Sequence, residues 1–167
     1  MTVLRESNLT FTFRSGWQVE KYDTWPIYLN QIKDSCGGLK GVDFIALDPH
    51  GTLWLIEVKD YRRNRRIKKI SIWNEMSLKT VHTLAGFVIA TQHANHPHTQ
   101  FAQNCLCVNR IRVVLHLEQP QKPSKLFPRP YDLANIQLKL KQMVKPIDAH
   151  PRVVEMADLS GISWTVV

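Results

Sequence analysis

Two short runs, Val42 to Leu47 and Leu53 to Val58, flank Asp48-Pro49-His50-Gly51 and are apolar except at Asp43 and Glu57. A Pro-first, Gly-last connection suits a type I turn closing on a left-handed glycine bulge, so the stretch predicts a β-hairpin. With that bulge in place Asp48 faces Thr52 and opposed residue numbers sum to 100, which sets Asp43 across from Glu57 and Gly41 across from Lys59. Side chains alternate along a strand, so Asp43, Glu57 and Lys59 are expected on one face of one hairpin, with the opposed Cβ atoms ~5 Å apart. Both strands are otherwise apolar on both faces: Val42, Phe44, Ala46, Trp54 and Ile56 on one, Ile45, Leu47, Leu53 and Leu55 on the other. That pattern belongs to a sheet covered on both sides, where a charge needs a reason to stay.

Two carboxylates at that separation repel unless a cation lies between them, and oxygen-only ligands suit a hard divalent ion such as Mg²⁺. The plainer alternative is an exposed hairpin end carrying an ordinary Glu/Lys pair. Directly after the hairpin, seven of the eleven residues from Lys59 to Lys69 are basic. Arg62, Arg63, Arg65, Arg66, Lys68 and Lys69 are therefore candidate DNA-binding residues, because positive charge draws in a phosphate backbone that the carboxylates alone would repel. A solvated charged face is the competing explanation. The net charge of +8 and a pI near 9.6 point the same way, to a polyanionic partner.

At these residues the chain resembles the PD-(D/E)xK nuclease superfamily, whose signature is an Asp on one strand and (D/E)-x-K on the next. Here the elements are Asp43, a spacer of thirteen residues, and Glu57-Val58-Lys59, with Val42 where the signature has Pro. Within the superfamily the segments 17–23, 40–44, 55–60 and 83–86 resemble a bacterial group of small stand-alone members, and the likeness covers most of residues 6–90. The resemblance implies an α/β fold with a restriction-endonuclease-like core, a central mixed sheet flanked by helices. It also implies a Mg²⁺-dependent endonuclease acting on DNA, with Mn²⁺ able to substitute and 5′-phosphate products. Asp43, Glu57 and the Val58 carbonyl would hold the metal, and Lys59 would orient or activate the attacking water. Glu20 is the implied additional acidic residue, with Asp23 and Glu6 as alternatives, and Lys79 the implied supplementary basic residue. Cutting both strands of a duplex would favour a homodimer.

The remaining pattern is read from periodicity and turn residues. Leu9 to Phe13 alternates as a strand and Trp17 to Tyr22 is expected to return as its partner; Asp23 or Thr24 then caps a helix whose stripe is Trp25, Tyr28, Leu29 and Ile32. A helix from about 74 to 92 is expected to bury Leu78, Val81, Leu84, Ala85, Val88 and Ile89, and residues 92–104 read as a polar loop. A strand at 110–117, a proline-rich loop at 119–130, a helix at 131–144 and strands at 152–156 and 162–167 follow.

A chain of 167 residues fits one domain, residues 1–167. The absence of a signal-peptide h-region and of a long apolar run predicts a cytoplasmic protein without a membrane partner. An odd number of cysteines, three, fits a reducing compartment, and the one-residue spacing of Cys105 and Cys107 is atypical of zinc. Two other functions compete with the nuclease: a non-catalytic nucleic-acid-binding or assembly subunit that keeps the fold, and an RNA-directed nuclease.

Overall fold

The computed structural model describes residues 1–93, 96–126 and 128–167. Its centre is the expected hairpin: β4 (Phe44–Leu47) and β5 (Thr52–Asp60) pair antiparallel, with Phe44 opposite Ile56 and Leu47 opposite Leu53. Asp48 closes the turn. Its Oδ1 accepts from the His50 and Thr52 amides and its Oδ2 from the Trp54 indole, while Gly51 takes φ +75° at the bulge.

The hairpin sits inside a five-stranded sheet ordered β3-β4-β5-β6-β7, with β3 (Gln18–Lys21), β6 (Arg110–Glu118) and β7 (Arg152–Val154). The β3-β4-β5 half is antiparallel and the β5-β6-β7 half parallel, so the sheet is mixed and the fold is α/β. The parallel half needs a long crossover between β5 and β6, supplied by α1 (Ile72–Thr91) and α2 (Thr99–Leu106). A third helix, α3 (Leu133–Val144), connects β6 to β7 and is capped by Asp132, whose side chain accepts from the Ala134 and Asn135 amides.

All three helices bury their inner residues in one core with Ile45, Leu53 and Leu55 of the sheet. The opposite face carries a second sheet ordered β1-β2-β8, from β1 (Thr2–Glu6), β2 (Leu9–Phe13) and β8 (Thr165–Val166). Phe11, Phe13, Trp164 and Val166 meet Phe44, Trp54, Ile56 and Val58 there. The central hairpin is covered on both faces, as its apolar composition requires.

Several expectations change. Trp17 to Lys21 does not return along β2; β3 pairs with β4 instead, and β2 takes β1 and β8 as neighbours. Residues 22–37 form short 3₁₀ and π turns rather than one helix, and Leu29 is exposed while Trp25, Tyr28 and Ile32 are buried. The segment read as a polar loop at 92–104 contains most of α2, which buries Phe101, Ala102 and Cys105; residues 94 and 95 of it lie outside the described residues, as does Phe127 of the proline-rich loop. On α3 the buried residues are Ile136, Leu140 and Val144.

Helix α1 is rotated from the expected face: Leu78, Val81, Ala85 and Val88 point outward and Met76, Thr80, Thr83, Gly86, Phe87 and Ala90 inward. The chosen face is the one that approaches closely. A Cβ on Gly86 would lie 1.8 Å from the Tyr22 hydroxyl, and Thr83 Oγ1 both donates to the Lys79 carbonyl and accepts the Val42 amide at 3.0 Å. No helix among the described residues is long and apolar enough to cross a membrane.

Candidate active site

The ladder between β4 and β5 keeps the expected register only as far as Phe44. Asp43 is a bend residue whose amide goes to the Ile56 carbonyl at 3.1 Å, although Ile56 is the ladder partner of Phe44. Two residues thus answer to one on β5, the arrangement of a β-bulge. This moves Val42 to the helix-side core, away from the face of Phe44 where simple alternation would put it. It also turns the Asp43 side chain toward β5, where Oδ2 accepts the Val58 amide at 2.7 Å.

Asp43, Glu57, Lys59 and Lys79 converge at this point. Lys79 Nζ lies 2.6 Å from Glu57 Oε1 and 3.8 Å from Asp43 Oδ1, and Lys59 Nζ bonds the same Glu57 oxygen. Glu57 is 1% exposed, Lys79 12% and Asp43 14%, so the cluster is nearly dry. Burial, and after it the neighbouring Glu57 carboxylate, pushes the Asp43 carboxyl up to about 7. Burial opposes charge on Lys59, but Glu57, Asp43 and Glu75 outweigh it and hold its ammonium above the usual lysine range.

Glu75 is buried beside this cluster and organises the basic run. It takes Arg66 at 2.6 Å and Lys68 at 2.5 Å, with Lys59 Nζ at 3.8 Å. Although burial disfavours its charge, these cations hold its carboxyl down to about 2. The detectable signal was spacing: Glu75 precedes Lys79 by four residues, so both share one face of a helix, and a Glu in the first turn is favoured by the helix dipole.

The other basic candidates divide. Arg66 is only 6% exposed and also donates to the Tyr61 hydroxyl and the Ile70 carbonyl, so it holds the loop together rather than presenting a free charge. Arg62 pairs with Asp60 at 2.7 Å, and Arg65 donates to the carbonyls of Lys125 and Leu126. Arg63 and Lys69 are exposed and make no ion pair among the described residues. Lys40, Lys68, Lys79 and His82 line a cavity of about 210 Å³ beside Glu75.

Of the three acidic alternatives, Glu20 Oε2 lies 2.7 Å from His98 Nδ1, and His98 stacks on Trp25. Glu6 pairs with Lys21 at 2.8 Å. Asp23 caps no helix; its Oδ1 is buried without a hydrogen-bond partner, and burial raises its carboxyl above the usual range. Asp23 feels the charge of Lys79, and Lys21 feels both Asp23 and Asp43, which makes Asp23 the acid nearest in kind to the cluster.

The residues present fit a hard cation. Glu57 Oε2 is buried without a hydrogen-bond partner, and two adjacent carboxylates already share the Lys79 ammonium. The Val42 amide goes to Thr83 Oγ1 and the Val58 amide to Asp43 Oδ2. No group of three or more His, Cys, Asp or Glu side chains among the described residues is placed to hold a metal. Two carboxylates and a carbonyl suffice for Mg²⁺, which keeps several waters and takes further ligands from substrate phosphates.

No family model and no solved structure matches the chain. The chain is 33% identical to the cysteine-tRNA ligase of Neisseria meningitidis serogroup A / serotype 4A, over 99% of this chain and 30% of that protein. It thus spans about 30% of the length of the curated relative it matches.

Proposed function

We propose that the chain is a Mg²⁺-dependent nuclease of the PD-(D/E)xK type, hydrolysing DNA phosphodiesters on a restriction-endonuclease-like core. The observation that carries this reading is the convergence of Asp43 and Glu57 on one lysine ammonium at a bulge in the central hairpin, with Lys59 on the same carboxylate. A mixed sheet with a helical crossover after the hairpin supports the core assignment.

Asp43, Glu57 and the Val58 carbonyl would hold the metal, which when bound polarises the scissile phosphate and lowers the pKa of its water. Lys59, kept charged by its three acidic neighbours, orients that water and stabilises negative charge on the phosphorane. Lys79 neutralises the carboxylate pair, and with a metal bound between them its ammonium would be free to face the phosphate. Glu75 fixes Arg66 and Lys68 so that the basic loop flanks the cluster. Arg63 and Lys69 meet the phosphate backbone. Hydrolysis of both strands would call for two such sites, and so for a homodimer in the cytoplasm.

A second reading is favoured by the likeness to part of a cysteine-tRNA ligase: an RNA-directed module, catalytic or binding only. The deciding experiment incubates the protein with supercoiled and linear DNA and with tRNA, at graded Mg²⁺ and Mn²⁺. The nuclease reading expects metal-dependent cleavage that Asp43→Ala, Glu57→Ala and Lys59→Ala each abolish. Cleavage by Asp43→Ala at the wild-type rate would sink it, and cutting confined to tRNA would select the second reading.

A further inference from the structure

Beside the β6-β7 side of the central sheet, two open cavities of about 530 Å³ each lie next to one another, sharing Arg112 and His150 in their linings. The first is lined by Arg112, Lys141, His150 and Arg152, from β6, α3 and β7, and by no carboxylate. The second adds Arg110 and one acid, Asp148. That acid is 4% exposed and already engaged: it accepts the Val113 amide at 2.8 Å and the His150 amide at 2.8 Å, and pairs with Arg112 at 3.4 Å. The groove is therefore cationic over its whole length, with Arg110, Lys141 and His150 exposed and making no ion pair among the described residues.

Two further features make this a built surface. The Arg152 Nε is buried without a hydrogen-bond partner, and Gly161, at φ +80°, packs so closely on the guanidinium that a Cβ there would lie 2.9 Å from Nε. Close backbone packing at Gly161 thus helps to position the arginine, with Asp158 near enough to feel its charge. The edge of the sheet is also closed to strand addition, because the Val153 amide donates to Gln137 Oε1 at 3.1 Å. What enters this groove meets side-chain cations and not an open β-edge.

We propose that this groove binds the phosphate backbone of a nucleic acid, as a second contact separate from the Asp43–Glu57 cluster. The ligand is a chain of phosphates, since the positive charges are strung along two neighbouring cavities and do not converge on one point. Arg152 pairs with Val114, and Glu57 with Leu115, so the two positions are two strands and one residue apart. Strand spacing and rise put them ~10 Å apart at the backbone. Val114 belongs to the core on the β8 side of the sheet and Leu115 to the core on the helix side, so Arg152 and Glu57 face opposite sides and the groove is a surface of its own. The proposal goes beyond the nuclease reading, and binding without metal tests it independently of cleavage.

The test measures anisotropy of a short fluorescein-labelled DNA duplex in EDTA across a salt series. Arg110→Gln with Lys141→Gln removes two exposed cations, and Arg152→Gln is examined separately, after circular dichroism confirms its fold, because of its packing under Gly161. Each lost phosphate contact should reduce the log–log salt slope by ~0.9 and the double variant should bind about tenfold or more weakly. A control neutralises the exposed Arg14 and Lys33, which lie outside the groove, and should leave the slope unchanged. An unchanged slope in the groove variants, or an equal loss in the control, overturns the proposal. So does tight binding of ATP that depends on Arg110 and Lys141, which would make the groove a nucleotide pocket. Loss of DNA cleavage with this binding intact would count against the nuclease reading alone.

Discussion

The Lys79 ammonium lies 2.6 Å from Glu57 Oε1, and this contact ties the middle of α1 to the end of the hairpin. An ammonium in that position does for the resting protein what a divalent ion would do in a working one, holding two buried carboxylates together. Replacing Lys79 with Met should therefore lower the stability of the metal-free protein and tighten Mn²⁺ binding by roughly tenfold, about 1.4 kcal/mol. Calorimetry with both proteins checks it; weaker binding in the variant would make Lys79 a partner of the metal and not its competitor.

Asp43 links stability to pH. Its folded carboxyl titrates near 7 against 3.8 ordinarily, so the folded state holds its proton more tightly than the unfolded chain does. The stability contributed is fully present below the ordinary value and is lost as pH rises through about 7, a displacement worth up to about 4 kcal/mol. Denaturant midpoints in EDTA should fall between about pH 4 and 7 for the wild type and be flatter for Asp43→Asn. Identical slopes would show that the Asp43 carboxyl titrates in the fold as it does in the unfolded chain.

Gly51 tests the turn. A Cβ there meets nothing within 4 Å, so any penalty comes from its φ of +75° alone. Gly51→Val should cost about 1–2 kcal/mol and Gly51→Asn distinctly less, as urea midpoints would report. Equal losses would place the effect in packing.

Gly86 and Tyr22 should be coupled. Gly86→Ala drives a methyl into the Tyr22 hydroxyl and should cost about 1–3 kcal/mol. That hydroxyl is buried without a partner, so Tyr22→Phe should be close to neutral and should recover part of the Gly86→Ala loss in the double variant. Strict additivity would contradict the contact.

Arg63 and Arg66 should separate in kind. Arg66→Ala leaves Glu75 short of a buried partner and should cost about 3–5 kcal/mol. Arg63→Ala should leave stability within about 0.5 kcal/mol and lower the salt slope of DNA binding. A stable Arg66→Ala protein would deny the loop its anchor.

The hairpin, its glycine bulge, the charge of the 59–69 run and the positions of α1, β6 and α3 were legible because each depends on local chemistry: alternation, a turn residue, a helical period. Asp43, Glu57 and Lys59 could be singled out in the same way, and Lys79 through the family resemblance. Only the tertiary structure decided the rest. Which way α1 turns follows from the closeness of Gly86 to Tyr22 and the bond of Thr83 to Val42, pairs far apart in sequence. The bulge at Asp43, invisible to a period of two, decides which face Val42 and Asp43 take. The partners of the charges were equally out of reach, since a Glu75 that clamps Arg66 and a Glu20 drawn off to His98 look alike along the chain. Burial and approach between distant segments set those pairings, and periodicity carries no information about either.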